Sequence, residues 1–150
     1  MNFIYKIKVA TDKEILSHLE LCSNNFIPPL DKKIVLIEYS KKIAEKAITF
    51  EAWYKQKLIG LIAAYFNDDI NCTGFISNVS VIENYNGKGL ASELMKMCLN
   101  YALQNNFKEI KLEVNRNNLN AIKLYKNFNF QEIENSNNDN ILMIFELKNG

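Results

Sequence analysis

The stretch Val79-Ser-Val-Ile-Glu-Asn-Tyr-Asn-Gly-Lys-Gly-Leu-Ala91 constrains this chain more than any other. Its alternating apolar residues predict a β-strand, Gly87 and Gly89 predict a sharp turn, and a helix is expected over roughly Gly87 to Asn105. In that helix Ser92, Glu93, Lys96, Asn100 and Gln104 share one polar stripe. Leu90, Leu94, Met95, Met97, Cys98, Leu99, Tyr101 and Ala102 fill the rest, so most of its girth faces protein. A junction of this kind aims several free backbone N–H groups, and the positive end of the helix dipole, at one point in front of the helix. That is an anion site suited to phosphate. Gly87 and Gly89 let the backbone turn tightly and leave no side chain between the amides and a ligand. The same residues also fit an ordinary helix start with turn glycines. The spacing is not GxxxxGK[ST], and no acidic residue stands where a dinucleotide fold would read a ribose.

Patterning places the other elements. Phe3, Tyr5, Ile7 and Val9 alternate with Lys6 and Lys8, predicting an amphipathic strand. Thr11 or Asp12 caps a helix carrying Ile15, Leu16, Leu19 and Cys22, which Pro28 and Pro29 break. Asp31 is placed to cap a second helix to about Lys46, with Ile34, Ile37, Tyr39, Ile43 and Ala44 apolar. Ala47 to Tyr54 and Leu58 to Phe66 read as strands joined at Lys55-Gln56-Lys57, and a turn-rich connection leads to the strand Phe75 to Ile82. Beyond the long helix come a strand Glu109 to Asn115, a short helix near Leu119 to Asn127 and a strand near Phe130 to Glu134. A polar turn Asn135 to Asn140 and a strand Ile141 to Leu147 complete the chain. The order β-α-α-β-β-β-α-β-α-β-β predicts an α/β (α+β) fold with a mixed, mostly antiparallel sheet.

At 150 residues the chain is expected to form a single domain over 1–150 with a sizeable core. A net charge of +1 gives no reason to expect nucleic acid as a partner. Cys22, Cys72 and Cys98 are widely spaced and His18 is the single histidine, so neither a zinc site nor cysteine–histidine catalysis is indicated, and no metal is expected. The thiols read as buried or incidental in a reducing compartment. The N-terminus lacks a signal-peptide core, and no run approaches the ~20 apolar residues that span a membrane. The expectation is a cytoplasmic protein without a membrane partner, as a monomer or homodimer.

A second pattern lies downstream in Asn118-Leu-Asn-Ala-Ile-Lys-Leu-Tyr-Lys-Asn-Phe-Asn-Phe130. With the glycine turn it resembles the GNAT superfamily of acyl-CoA-dependent N-acyltransferases. That family's Gln/Arg-x-x-Gly-x-Gly/Ala turn is matched by Asn86, Gly87, Lys88, Gly89, Leu90 and Ala91. Its Asn-x-x-Ala-x-x-Leu-Tyr-x-x-x-Gly-Phe helix is matched by Asn118, Ala121, Leu124, Tyr125 and Phe130. Two positions depart. Asn86 replaces a long side chain near the phosphates but keeps its amide, and Asn129 replaces a glycine, which asparagine's tolerance of the left-handed conformation makes a mild change.

The resemblance implies a sheet flanked by helices, with two central strands splayed apart beside the turn. It implies acetyl-CoA as co-substrate, with its pyrophosphate on the amides of about Gly87 to Ala91 and its pantetheine arm along Val79, Ser80 and Val81. The acceptor would be a primary amine of a small molecule, an amino sugar or a protein N-terminus. Tyr125 then matches the tyrosine at the thiol, an acid for the leaving thiolate; spacing alone favours a core tyrosine beside Leu124 and Phe128, and Asn118 and Ala121 in register favour the acid. Glu113, on the strand face opposite Ile110, Leu112 and Val114, is the candidate base, directly or through water, or else a solvated charge. Glu83 is the alternative. Asn118 holds the arm or caps its helix, and Lys88 adds charge near the phosphates or is solvated. Trp53 and Tyr54 line an acceptor pocket or pack in the core. Acceptor identity is expected to lie in the segment Cys22 to Tyr39 and in the turn Asn135 to Asn140, with the stiff apolar Phe26 to Leu30 as a wall over the acceptor. Competing readings are a non-catalytic acyl-CoA sensor or assembly module, and a phosphate site for another nucleotide.

Overall fold

Thr11 starts the first helix through a capping box: its hydroxyl accepts from the Glu14 N–H, and the Glu14 carboxylate takes the Thr11 N–H. From there the computed structural model, which describes residues 2–23, 33–133 and 139–147, adopts the expected order. Strand β1 (Ile4–Ile7) precedes helices α1 (Asp12–Cys22) and α2 (Lys33–Lys46). Strands β2 (Ile48–Tyr54), β3 (Lys57–Asp68) and β4 (Thr73–Val81) form a meander. Helix α3 (Leu90–Gln104), β5 (Glu109–Asn115), α4 (Leu119–Asn127), β6 (Gln131–Glu132) and β7 (Asn140–Glu146) complete it. The expected cap Asp31, the wall segment Phe26 to Leu30 and most of the turn Asn135 to Asn140 lie outside the described residues.

The seven strands form one sheet in the order β1-β2-β3-β4-β5-β7-β6, and β4–β5 is its parallel pair. Helices cover both faces. On one side Ile15, Leu19, Leu36 and Ile43 of α1 and α2 pack on Trp53, Leu58, Leu61 and Ala63. On the other, Leu90, Leu94, Met95, Cys98 and Ala102 of α3 pack on Phe50, Ile59, Ile62, Ile110 and Leu112. The α3 stripe is the one its periodicity predicts.

β1 departs from expectation. All four of its residues are exposed, because it is an edge strand that pairs with β2 alone, and its alternation buries no face. What secures the segment is polar. The fully buried Glu51 carboxylate accepts from the Val9 and Ala10 amides, from Thr49 Oγ1 and from Trp53 Nε1. Lys8, in the left-handed region at φ 56°, donates from Nζ to the Ala44 and Ala47 carbonyls at the C-terminal end of α2, where a cation meets the negative end of the dipole.

One irregularity shapes the centre. Along β3–β4, Ala63 faces Asn78 while its neighbour Ala64 faces Ile76, so Ser77 is an extra residue, a β-bulge. The parallel pairing of β4 with β5 runs from Thr73↔Glu109 to Ile76↔Leu112 and goes no further. Past the bulge β4 stays with β3, through Ile62↔Val79 and Gly60↔Val81, while β5 stays with β7 through Glu113↔Leu142 and Asn115↔Asn140. The two central strands therefore part at residue 77 and leave a wedge.

Candidate active site

The wedge opens toward the glycine turn. Gly87 and Gly89 have φ of 77° and 78°, and a Cβ on either would meet nothing within 4 Å. The glycines are there for backbone conformation, and the space in front of them is open. Gly89 is the N-cap of α3, with no side-chain cap, and the first helical bond runs from the Glu93 N–H to the Gly89 carbonyl. The amides of residues 87–92 thus have no acceptor among the described residues, and they point the positive end of α3 outward. Lys88 between the glycines is exposed, and Leu90 is buried beneath the turn.

A cavity of about 380 Å³ runs from this turn into the wedge, within the range of small-molecule sites. Val79, Ser80 and Val81 of β4 form one wall, Asn86 and Ala91 lie at the turn, and Asn118, Ala121 and Leu124 of α4 face them. Cys22, from the end of α1, closes the inner side. The structure thus brings Asn86 and Ala91 of the first motif together with Asn118, Ala121 and Leu124 of the second, while Tyr125 does not itself line this cavity. Asn118 Oδ1 accepts from the Ala121 N–H at 3.3 Å, so the helix-cap role is realised. Its Nδ2 has no partner among the described residues.

Tyr125 sits at the buried side of α4 beside this cavity's Ala121 and Leu124, and its ring packs on Phe130 with centroids 5.9 Å apart. Burial pushes its phenol well above the ordinary tyrosine value, so the group stays protonated, the form an acid needs. The helix ends as its sequence implies. Asn129 takes the glycine's place at φ 71°, and the Asn129 and Phe130 amides donate back to the Lys126 and Tyr125 carbonyls at 2.9 and 3.0 Å.

Glu113 is exposed on the face of β5 opposite the buried Ile110, Leu112 and Val114, as the alternation predicts, and it is not on the cavity wall. Glu83 is also exposed. Tyr54 packs, whereas Trp53 both packs and lines a second cavity of about 290 Å³ with His18, Leu21 and Leu58, apart from the wedge. Trp53 is buried with Nε1 on Glu51, and Tyr54 stacks edgewise with Phe3.

Sequence patterning missed a polar cluster behind the wall. His18 is 1% exposed, with Nδ1 3.0 Å from the Leu58 carbonyl and Nε2 2.8 Å from Ser80 Oγ. A carbonyl only accepts, so Nδ1 carries the proton and Nε2 accepts the Ser80 hydroxyl. Asn78 Nδ2 donates to Ser80 Oγ at 2.8 Å, and Cys22 Sγ lies 3.7 Å from Nε2. Burial lowers the imidazole pKa to about 4 and raises that of the Cys22 thiol to about 11, so both are neutral near pH 7. The available signal was His18 on the stripe Ile15, Leu19, Cys22, a polar residue on a core face.

Comparison with known proteins agrees with this geometry. The model of the acetyltransferase (GNAT) family matches residues 13–130. Spermine/spermidine N(1)-acetyltransferase of Bacillus subtilis (strain 168) is 28% identical over 132 residues, covering 83% of this chain and 86% of that protein. N-acetylaspartate synthetase of Xenopus tropicalis is 27% identical over 133 residues, covering 89% of this chain; the chain spans only 44% of that protein's length. A GNAT-family acetyltransferase structure from Staphylococcus aureus Mu50 superposes with a TM-score of 0.77 at 17% identity, over 97% of this chain and 100% of that one. A PaiA N-acetyltransferase from Thermoplasma acidophilum, in complex with coenzyme A, gives 0.75 at 13% identity, over 98% and 100%. At such identities the structural likeness shows the fold alone.

Proposed function

The chain belongs to the acetyltransferase (GNAT) family, and from that premise we propose that it transfers an acetyl group from acetyl-CoA to a primary amine by direct attack on the thioester. The observation that carries this is the wedge between β4 and β5, which opens directly onto the unpaired amides at the start of α3. The diphosphate would lie on the amides of Gly87, Lys88, Gly89, Leu90 and Ala91 beside Asn86. The pantetheine arm would pair with the free edge of β4 at Val79 and Val81, with Asn118 Nδ2 donating to it. The Thermoplasma protein's complex with coenzyme A supports such a ligand for this fold.

An amine with a pKa near ~10.4 arrives protonated and must lose that proton before attack. Glu113, out in solvent, takes it through water. Backbone N–H groups on the free edge of β4 stabilise the oxyanion that develops on the thioester carbonyl. The departing thiolate, whose thiol has a pKa near ~8.5, is protonated by the Tyr125 phenol. The acceptor is a small amine, an amino sugar or a protein N-terminus. The names of the Bacillus and Xenopus relatives point to amines of small molecules.

Detection of free thiol from acetyl-CoA in the presence of spermidine, glucosamine or an alanine-starting peptide tests this reading. Acetyl-CoA binding without thiol release from any acceptor would replace it with a non-catalytic acyl-CoA module.

A further inference from the structure

Of the polar chain behind the cavity, Ser80 and Cys22 line its wall, Asn78 is buried, and His18 borders a separate cavity beside Trp53 and Leu58. The Ser80 hydroxyl proton points at His18 Nε2, and Asn78 Nδ2 holds the oxygen from the other side. Two lone pairs remain on Oγ; Asn78 occupies one, and the Cys22 thiol, itself hydrogen-bonded to Ser80, gives way at the other when the amine arrives. His18 is in turn held by its Nδ1–H on the Leu58 carbonyl, which fixes both tautomer and ring plane. A chain of this kind can be purely structural, pinning α1 to β3 and β4. Its opening onto the wedge gives it a second use.

Resting on the acetyl-transfer reading above, we propose that Ser80 is a catalytic residue: its Oγ takes the proton that the amine nitrogen sheds once bonded to the acyl carbon, while Ser80's own proton passes to His18 Nε2. The N–H bond of the adduct breaks and a new Ser80 O–H bond forms. The old O–H bond breaks and Nε2–H forms, with Nδ1–H still on Leu58. The products are an anionic adduct with a neutral nitrogen, an intact serine and an imidazolium. Collapse then breaks the C–S bond, the electron pair leaves on sulfur, and the thiolate takes the Tyr125 proton. The phenolate recovers a proton from the imidazolium back through Ser80 and cavity water. The net change moves one proton from nitrogen to sulfur, and every protein group ends as it began.

The surroundings suit a relay rather than a store. Burial keeps His18 neutral and its Nε2 lone pair free, and an imidazolium formed there returns its proton readily. The nitrogen of a protonated adduct is also far more acidic than a free ammonium, so a weak acceptor suffices. Cys22, whose thiol stays protonated, borders the same lone pair and keeps the inner side closed. His18 acts through Ser80 and is a positioning residue.

Steady-state kinetics with acetyl-CoA and the same three acceptors, run in H₂O and D₂O, test the relay. Ser80→Ala is expected to lower kcat by about tenfold or more while the acetyl-CoA Kd stays within about twofold. Ser80→Thr, which keeps the hydroxyl, is expected to recover most of the rate. The solvent isotope effect on kcat should shrink in Ser80→Ala and in His18→Gln. A Ser80→Ala protein with a normal melting curve and the wild-type kcat overturns the relay, as does a Ser80→Thr protein no faster than Ser80→Ala. Wild-type protein that releases thiol with none of the acceptors overturns the acetyl-transfer reading itself, and the relay with it.

Discussion

Phe130 holds Tyr125 twice: its amide donates to the Tyr125 carbonyl at 3.0 Å, and its ring packs on the tyrosine ring at 5.9 Å. The helix terminator and the candidate acid are thus one structural unit. A Schellman-type ending requires a left-handed residue between them, and Asn129 supplies it. The spacing from Tyr125 to Phe130 in the sequence motif is the spacing of that ending.

Tyr125→Phe removes the phenol hydroxyl and keeps the packing on Phe130. It is expected to lower kcat by about 10²-fold or more, with little change in acetyl-CoA affinity. Because burial keeps the wild-type phenol protonated above the usual tyrosine range, no loss of rate from its ionisation is expected up to about pH 10. Comparing kcat with the Kd from a binding titration checks the first point, and a pH profile the second.

Gly89→Ala tests the anion site. At φ 78° an alanine is strained by roughly 1–2 kcal/mol, although its methyl meets no protein atom. The methyl instead stands in front of the helix amides. A melting temperature a few degrees lower is expected, together with acetyl-CoA binding weakened by about tenfold or more. Calorimetric titration reads the second effect separately from the first.

Tyr39→Phe probes the bulge that opens the wedge. Tyr39 Oη donates to the Ser77 carbonyl at 3.0 Å and also bonds Ser77 Oγ, clamping the extra residue of β4 from α2. Losing these bonds is expected to destabilise the protein by about 1–3 kcal/mol in denaturant melts. It should also raise KM for acetyl-CoA, because the free edge of β4 begins at this residue.

His18 predicts a pH dependence of stability with a definite sign. Its pKa falls from 6.5 when unfolded to about 4 when folded, chiefly by burial, with nearby Lys57 acting in the same direction. Between those values the unfolded chain binds more protons, so stability rises with pH. As pH falls from about 6.5 to about 4, roughly 3 kcal/mol is lost. Denaturant melts across this window should show a shallower slope for His18→Gln than for the wild-type protein.

What the sequence made legible was local. The α3 stripe and the α1 cap, read as Thr11 or Asp12 and found at Thr11, depend on spacings within one element. What stayed hidden depends on partners far apart in the chain. The exposure of β1 comes from its place at the sheet edge, which alternation cannot report. Glu51 looks like a solvated strand charge until Val9, Ala10, Thr49 and Trp53 converge on it. The Ser77 bulge is visible only against Ala63 and Ala64. His18 meets Ser80 across 62 residues of chain, so its isolation in the composition said nothing of its surroundings. Glu113 shows the reverse case: its strand face was read correctly, yet face alone did not put it on the cavity wall.

Main-chain donors at the start of α3 are proposed to hold a coenzyme whose arm threads between β4 and β5. A crystal structure of the complex with acetyl-CoA tests this most directly. Diphosphate oxygens are expected about 3 Å from the amides of Gly87 to Ala91, with the thioester sulfur beside the Tyr125 phenol. A coenzyme bound outside the wedge, or a diphosphate held elsewhere on the protein, would contradict it.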